Sequence, residues 1–576
     1  MKQIAIVGAG PSATFLVQQM QKKLPRCSIT IFESSIETGS GFPYSPKGAQ
    51  IEHITNVSSN EIPDLPTKLI EWWRDQSVSK LAKYGMDNAT PSEDTVVPRL
   101  FFGEYLQDQF KSVGSSARAN GFEVTIISDA KIATIAIDQQ DVILSTENRT
   151  FTFDLAILCT GHVFPKNLET KFSGYFDSPY PPSKLARTAN HPVCIRGSSL
   201  TAVDAIATLA KNNGNFSHEA GRLKFTLNEE SPNFSLHMYS KSGLLPVVRV
   251  YMEEPYAGIT ALLDPKMIQR EISNNDGFLP IDFVYQTAFL QPLKEKDREL
   301  FDAIKDLTIE EFVEHVIKLR TQKPPFELLR SECIESVQTF KNKTPIHWKE
   351  LLAGLSVTMS YPAKHFSAED RIRLQNNLMP LIGVVIALMP TSSAEQLLAL
   401  HDAGVLTLTA VSDDAKVHTV GDEKIVFELQ PGVQQQYKMF VDCIGQPPMD
   451  VTEFSIKGLT ETGAGRQALI RFKSAEQGRI EQSKHSKNVI MVTEKDYYLV
   501  VPGFDISDHF QLVNKDGQFS EQVYMMSVPF VSGLNPDYSG LDFCDIASQK
   551  IVQHIHNGRD SKAEEVSNRA SSHDGQ

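Results

Sequence analysis

Two kinds of hydrophobic spacing alternate along the chain. Ile4, Ile6 and Val7 form a short apolar run that reads as a buried strand. A helical pattern follows through Leu24, and a second strand, Ser28 to Phe32, ends at Glu33. Residues 194–211 repeat this frame, with a strand stub at Cys194 and Ile195, a turn at Gly197, and a helical run reaching about Lys211. Another strand is expected from Phe234 to Met238. Residues 122–161 and 405–445 instead show strand-like alternation, as in FEVTIISDAKIATIAI and KIVFELQ. Both meanders lead to an apolar strand that closes on small-x-Gly, Cys159-Thr160-Gly161 and Cys443-Ile444-Gly445. Residues 252–400 fit neither pattern and are rich in helical periodicity. There, Asp306 or Thr308 caps a helix through Arg320, with Glu310 and Glu311 in its first turn. The stretch from Asn557 to the end is polar and charged and reads as a disordered tail.

The first turn carries chemistry. Gly8-Ala9-Gly10-Pro11-Ser12-Ala13 is the G-x-G-x-x-A form of a dinucleotide fingerprint. Gly8 allows the tight turn, Gly10 lets backbone approach a pyrophosphate, and Ala13 permits close helix–strand packing. Glu33 can accept hydrogen bonds from both ribose hydroxyls, and its charge disfavours a 2′-phosphate, so this loop suits FAD or NAD. In the second frame Gly197, Ser198, Ser199 and Ala202 align with Gly8, Ala9, Gly10 and Ala13. Ser199 places a Cβ where the first loop has none, but its hydroxyl can donate to phosphate and the helix start still offers free N–H groups. After the strand from Phe234 come Ser240 and Lys241, with no acid. Lysine suits a 2′-phosphate, which favours NADPH over NADH, and Arg249 is a possible second cation. Arg196, beside Gly197, either contacts the ligand or pairs with an acid of the insertion.

Length and composition narrow the classes. With 576 residues the chain exceeds one core, and 41% hydrophobic and 22% charged residues are ordinary for globular domains. A net charge of −14 with no basic runs argues against nucleic acid or an anionic membrane as partner. The apolar run Leu378 to Met389 is interrupted by Pro380 and Gly383 and is too short to span a bilayer, and the opening MKQIAIVGAG lacks the long apolar stretch of a secretory leader. A soluble, cytoplasmic protein is the expectation. The six cysteines have no C-x-x-C spacing, and no metal-ligand cluster appears, so disulfide-reductase and metal chemistry lose their usual signatures.

Several stretches together resemble the bacterial FAD/NAD(P)-binding flavoproteins with two dinucleotide domains, in the branch that includes a flavin-dependent urate hydroxylase. More distantly they are similar to N-hydroxylating and Baeyer–Villiger monooxygenases. The stretches are VGAGPSA, GSGFPYSP…HITNVSSNEIP (39–63), VPRLFFGEYL (97–106), LCTGH (158–162), IRGSSLTAVDA (195–205), YSKSGLLPVVR (239–249) and SGLNPDYSGLDFCDIA (532–547). The resemblance implies that Gly41 to Asn56 packs near the flavin, with Asn56 facing its ring, and that Arg99 meets FAD. Gly161 belongs to the exit of the FAD domain, and His162 stands near the cofactor. Gly540 to Ala547 would start a helix aimed at the flavin, with Asp537 or Asp542 as a ribityl contact. The alternatives for Arg99, Asn56 and His162 are a salt bridge, a turn former and a satisfied core histidine.

The expected fold is therefore α/β, with two Rossmann-like dinucleotide-binding domains, β meanders and a mainly helical insertion. The FAD domain spans 1–187 and returns at 446–556, and the NAD(P)-binding-like domain spans 188–445 with its insertion at 252–400. The expected activity is an FAD-dependent, NAD(P)H-consuming oxidoreductase, above all a monooxygenase on a small molecule. The alternatives are a reductase or oxidase without hydroxylation, and a non-enzymatic flavin or nucleotide sensor. The insertion either covers the site and selects the substrate or serves as a structural or dimerising element, in which case a homo-oligomer follows.

Overall fold

Strand Gln3–Val7 sits in the middle of a six-stranded sheet because all but its first residue are buried and neighbours flank it on both sides. It pairs in parallel with Ser28–Phe32 and with Leu155–Leu158, Ile6 standing opposite both Ile31 and Ile157. Glu123–Ile127 extends one side. On the other side lies Phe519–Met525, parallel to Leu155–Leu158 and joined to Gln511–Val513. The first sheet is thus completed by strands far along the chain, within residues 511–525. The computed structural model describes residues 1–571, apart from 87–88, 255–262, 422–423, 431, 486 and 537–539. Asp537 lies outside the described residues.

A second, five-stranded parallel sheet has Pro192–Arg196 between Met439–Asp442 and Ser235–Ser240, with Leu406–Ala410 and Tyr175–Phe176 at its edges. The two meanders are three-stranded antiparallel sheets, 134–153 and 416–437, each preceding the strand that exits its domain. This is an α/β fold with parallel sheets, helices on their faces, and a duplicated plan.

Residues 264–402 are helical. Many of them pack into a core of their own, in which Leu279, Val284, Phe289, Leu352, Leu374 and Ile382 are fully or almost fully buried. Thr308, not Asp306, caps the helix Ile309–Arg320, and Glu311 completes a capping box with it. The last helix runs Leu541–Ser571, so helical backbone reaches from Asn557 as far as Ser571 in the stretch where the sequence reads as a disordered tail; residues 572–576 lie outside the described residues. The sequence SKAEEVSNRA there is rich in good helix formers, which offsets its polarity. This helix packs along Pro11–Lys23, where Gln19 donates to Asp545 at 2.9 Å and Lys23 to Gln553 at 2.9 Å.

Candidate cofactor and substrate site

The two glycine turns are built alike. Gly8 has φ +111° and Gly197 φ +117°, a region that favours glycine. A Cβ on Gly8 would run into the carbonyl oxygen of Cys159, and one on Gly197 would stand 2.5 Å from that of Cys443. Each turn is tied to its neighbouring strand, Gly8 N–H donating to Phe32 O at 2.8 Å and Gly197 N–H to Tyr239 O at 2.7 Å. The next helices start alike as well. Gly10 caps Pro11–Lys23 with φ −85° and ψ −165°, and Ser199 caps Leu200–Asn213 with φ −90° and ψ −169°. Ser199 therefore copies the conformation of Gly10 without strain. No side chain caps either helix, and the Ser199 hydroxyl does not turn back on its own amides. Both helix starts keep the N–H donors that an anionic pyrophosphate would need.

Ala13 and Ala202 are fully buried behind the turns, as close packing requires. Ser12 Oγ lies 3.3 Å from Cys544 Sγ of the last helix. Glu33 spends both carboxylate oxygens on its own loop, accepting from Ala9 N at 2.9 Å and Ser35 N at 2.9 Å. It fixes the turn.

A cavity of about 470 Å³ opens between the two domains and the helical region. Asn56, Arg99, His162, Gly540 and Asp542 line it from the first domain, Ser199 and Thr201 from the second loop, and Val357, Ile386 and Ala387 from the helical region. Gly161, with φ +75°, precedes His162 and has open space at its Cα. Asn56 lies in strand Ile54–Ser58, its amide 3.5 Å from Ala387 O.

Arg99 opens the helix Arg99–Ala119 at the cavity wall. It is not a surface residue. Its Nη1 pairs with Asp204 at 2.6 Å and its Nε donates to Ile54 O at 3.2 Å. Asp204, in the helix that follows Ser199, also accepts from Tyr180 OH at 2.9 Å. His53 Nε2 lies 3.1 Å from the Asp204 carbonyl and 2.9 Å from Thr208 Oγ1. Burial opposes the Arg99 charge, but Asp204, Tyr180 and Tyr44 outweigh it and raise its pKa. Burial likewise raises the Tyr180 phenol, with Asp204 adding to it, and pushes Tyr44 up to about 12 against the pull of Arg99. Burial lowers the pKa of His162, with Gln446 opposing, and raises that of Asp542 against the backbone N–H groups at the helix start.

Two expectations about arginines need correction. Arg249 does not join Lys241. It is buried, donating to Asn56 O at 2.6 Å and Ser58 Oγ at 2.7 Å and pairing with Glu61 at 2.7 Å. The chain after Leu244 turns inward through buried Leu245, Val247 and Val248 and carries Arg249 away from the surface. Arg196 pairs with Asp442 of the adjacent strand in its own sheet, not with an acid of the insertion, because parallel register places the two side by side. Lys241 is exposed and pairs with an equally exposed Asp413 at 2.6 Å. Ser240 Oγ accepts from Gly243 N at 3.2 Å, and Ser198 Oγ donates to Leu244 O at 2.7 Å, so both serines shape the loop beside Lys241.

Residues 5–163 match the family model described as FAD-NAD(P)-binding. The stretch that holds the first glycine turn, Glu33, Asn56 and Arg99 is of that kind, and FAD and NAD(P) are its cofactors, as the sequence leads one to expect. Residues 264–386 match a second model, the YdhS-like middle domain, which lies within the helical region. The chain is similar to the uncharacterized protein YdhS of Escherichia coli (strain K12), 28% identical over 466 residues that cover 80% of this chain and 86% of that one. Among solved structures it is similar to the ornithine N-hydroxylase of Kutzneria sp. 744, with 12% identity, 97% and 100% of the two chains covered and a TM-score of 0.44. The bacillithiol disulfide reductase of Staphylococcus aureus gives 10% identity, 96% and 98% coverage and a TM-score of 0.42. No described helix is long and apolar enough to cross a membrane.

The sequence reading missed Asp204, Tyr180 and His53. Asp204 reads there as one polar position among apolar ones in LTAVDA, and nothing in the spacing of the three links them.

Proposed function

We propose that this protein is an FAD-dependent, NADPH-consuming oxidoreductase, and specifically a monooxygenase acting on a small molecule. One observation carries the reading: Ser199 reproduces the backbone of Gly10, and the helix it opens borders the same cavity as Asn56, Arg99 and Asp542. A sensor that kept the second loop only as a relic would have no reason to keep that helix start free of side-chain caps.

FAD would lie along the first turn, its pyrophosphate at the start of Pro11–Lys23 and its ring toward Asn56, Arg99 and Asp542; bound there, it supplies hydride and oxygen chemistry. The start of Leu200–Asn213 receives the NADPH pyrophosphate, with Gly197 and Ser198 setting the turn. Lys241, exposed at the end of its strand beside Asp413, would hold the 2′-phosphate. Arg99 and Asp204 tie the helix Leu200–Asn213 to the helix Arg99–Ala119, and so would fix the two cofactors' binding elements relative to each other. The helical residues Val357, Ile386 and Ala387 close the cavity and keep water from the reacting face. This reading places the chain with the flavin hydroxylases, urate hydroxylase among them.

The test is oxygen use. The purified yellow protein is supplied with NADPH and candidate substrates under ¹⁸O₂, and products are weighed by mass spectrometry. Label in one product atom supports the monooxygenase. NADPH oxidation with every substrate yielding only peroxide or a reduced acceptor would replace it with the reductase reading.

A further inference from the structure

The cavity lining is specific about charge, and this bears on the substrate of the monooxygenase reading, on which the inference rests. Among the described residues of its lining three are formally charged, Glu61, Arg99 and Asp542. Arg99 is neutralised by Asp204 at 2.6 Å and Glu61 by Arg249 at 2.7 Å. Asp542 belongs to the helix start assigned to the flavin, and its burial disfavours the ionised form. An α-amino acid would bring an ammonium and a carboxylate, and among the described residues the lining offers no uncommitted cation to receive the carboxylate. Burying such charges without partners is costly.

Much of the remaining lining is aliphatic, and one side of the cavity is aromatic. Four rings from three separate segments converge. Phe42 lies 5.6 Å from Phe164 and 5.8 Å from Tyr180, and Phe164 lies 5.0 Å from Tyr180. His162 lies 6.5 Å from both Phe42 and Phe164 and is nearly parallel to the latter, at 20°. All four line the cavity. Among the described residues the buried Nδ1 atom of His162 has no hydrogen-bond partner. Such an atom in a protein normally has one, so the bound molecule is the natural source. Gln446 is already committed, both ends of its amide bonding the backbone of Val163 at 3.0 Å and 2.6 Å.

We infer that the substrate is a neutral, planar aromatic or heteroaromatic compound, held among Phe42, Phe164 and Tyr180 and hydrogen-bonded through one polar group to His162 Nδ1. Ring contacts of this kind reward flat apolar surface and are indifferent to a flexible charged chain.

The test reads binding without requiring turnover. Oxidised holoenzyme is titrated with phenol, indole and benzamide, and in parallel with L-ornithine and L-lysine, following the flavin absorbance spectrum. At least one neutral ring is expected to shift the spectrum saturably, while the amino acids leave it unchanged. Phe164→Leu and His162→Leu are each expected to weaken that ring about tenfold. Both variants should keep full flavin content and the parent melting temperature, which separates loss of a ring contact from loss of the fold. Binding of an amino acid in place of the rings overturns the inference while leaving the monooxygenase reading intact. Silence of all three rings also overturns it. Saturable ring binding in a protein that never incorporates oxygen would uphold the binding class and remove the monooxygenase reading alone. Slowed NADPH reduction in either variant, with ring affinity unchanged, would assign these rings to the nicotinamide and overturn it too.

Discussion

Asp204→Asn should be among the most destabilising single changes in this protein. The carboxylate pairs with Arg99 at 2.6 Å, where the two side chains are only 13% and 7% exposed, and it also accepts the Tyr180 hydroxyl at 2.9 Å. The amide keeps the shape but removes the charge, leaving a guanidinium buried between two domains without its counter-ion. Breaking a buried pair from one side costs about 3–5 kcal/mol. A multidomain chain has no single unfolding free energy, so the readout is the thermal transition of the second domain. For a unit of 150–250 residues the loss corresponds to a fall of roughly 10 °C. The double variant Arg99→Leu/Asp204→Leu should recover much of it, because removing both charges leaves neither uncompensated. Asp204→Asn melting within about 2 °C of the parent would refute the reasoning, since a shift that small is below 1 kcal/mol. It would mean that water or another group already screens Arg99.

Further outcomes follow from the same geometry. Gly197→Ala forces a side chain toward Cys443 O at a positive φ, costs on the order of 1–3 kcal/mol, and should abolish NADPH binding by calorimetry while FAD content stays full. Ser199→Gly should change NADPH affinity by less than about threefold, because glycine at a helix cap costs only a few tenths of a kcal/mol; a tenfold loss would instead make the hydroxyl a phosphate ligand. Lys241→Ala should weaken NADPH about tenfold with little effect on NADH, and Asp413→Ala should tighten NADPH, both by equilibrium titration at low salt. Burial lowers the pKa of His53, so the folded state favours its neutral form. Its contribution is complete above the ordinary histidine value near 6.5 and is lost as pH falls through the lower folded value. Melting temperature should therefore drop as the pH falls from about 6.5 toward that lower value, and less steeply in His53→Gln.

The glycine turns were legible because their geometry tolerates almost nothing else. Gly8 and Gly197 sit at positive φ against a carbonyl of the exit strand, so the residue type reports the backbone directly. The meanders and capped helices were legible for similar local reasons: period-2 alternation, and Thr308 three residues before Glu311. Long-range partnerships left no such mark. Arg249 follows a strand-end lysine and so reads as a phosphate cation, but it is buried against Glu61, nearly two hundred residues earlier. Arg99, Asp204 and Tyr180 come from three segments, and only the folded chain brings them together. The charge balance of the cavity, which decides what it can hold, depends wholly on such pairs.

The central claim is that CIRGSSLTAVDA is a working nicotinamide loop facing a flavin. Anaerobic stopped-flow mixing of the yellow protein with NADPH, and then with NADH, tests it most directly, with and without a neutral aromatic ligand. The account predicts bleaching of the flavin band by NADPH, strongly slowed at limiting NADPH in Lys241→Ala, with reduction by NADH weaker and unaffected by that change. A flavin that neither nucleotide can bleach, with or without ligand, would contradict it and leave the second loop as a structural copy of the first.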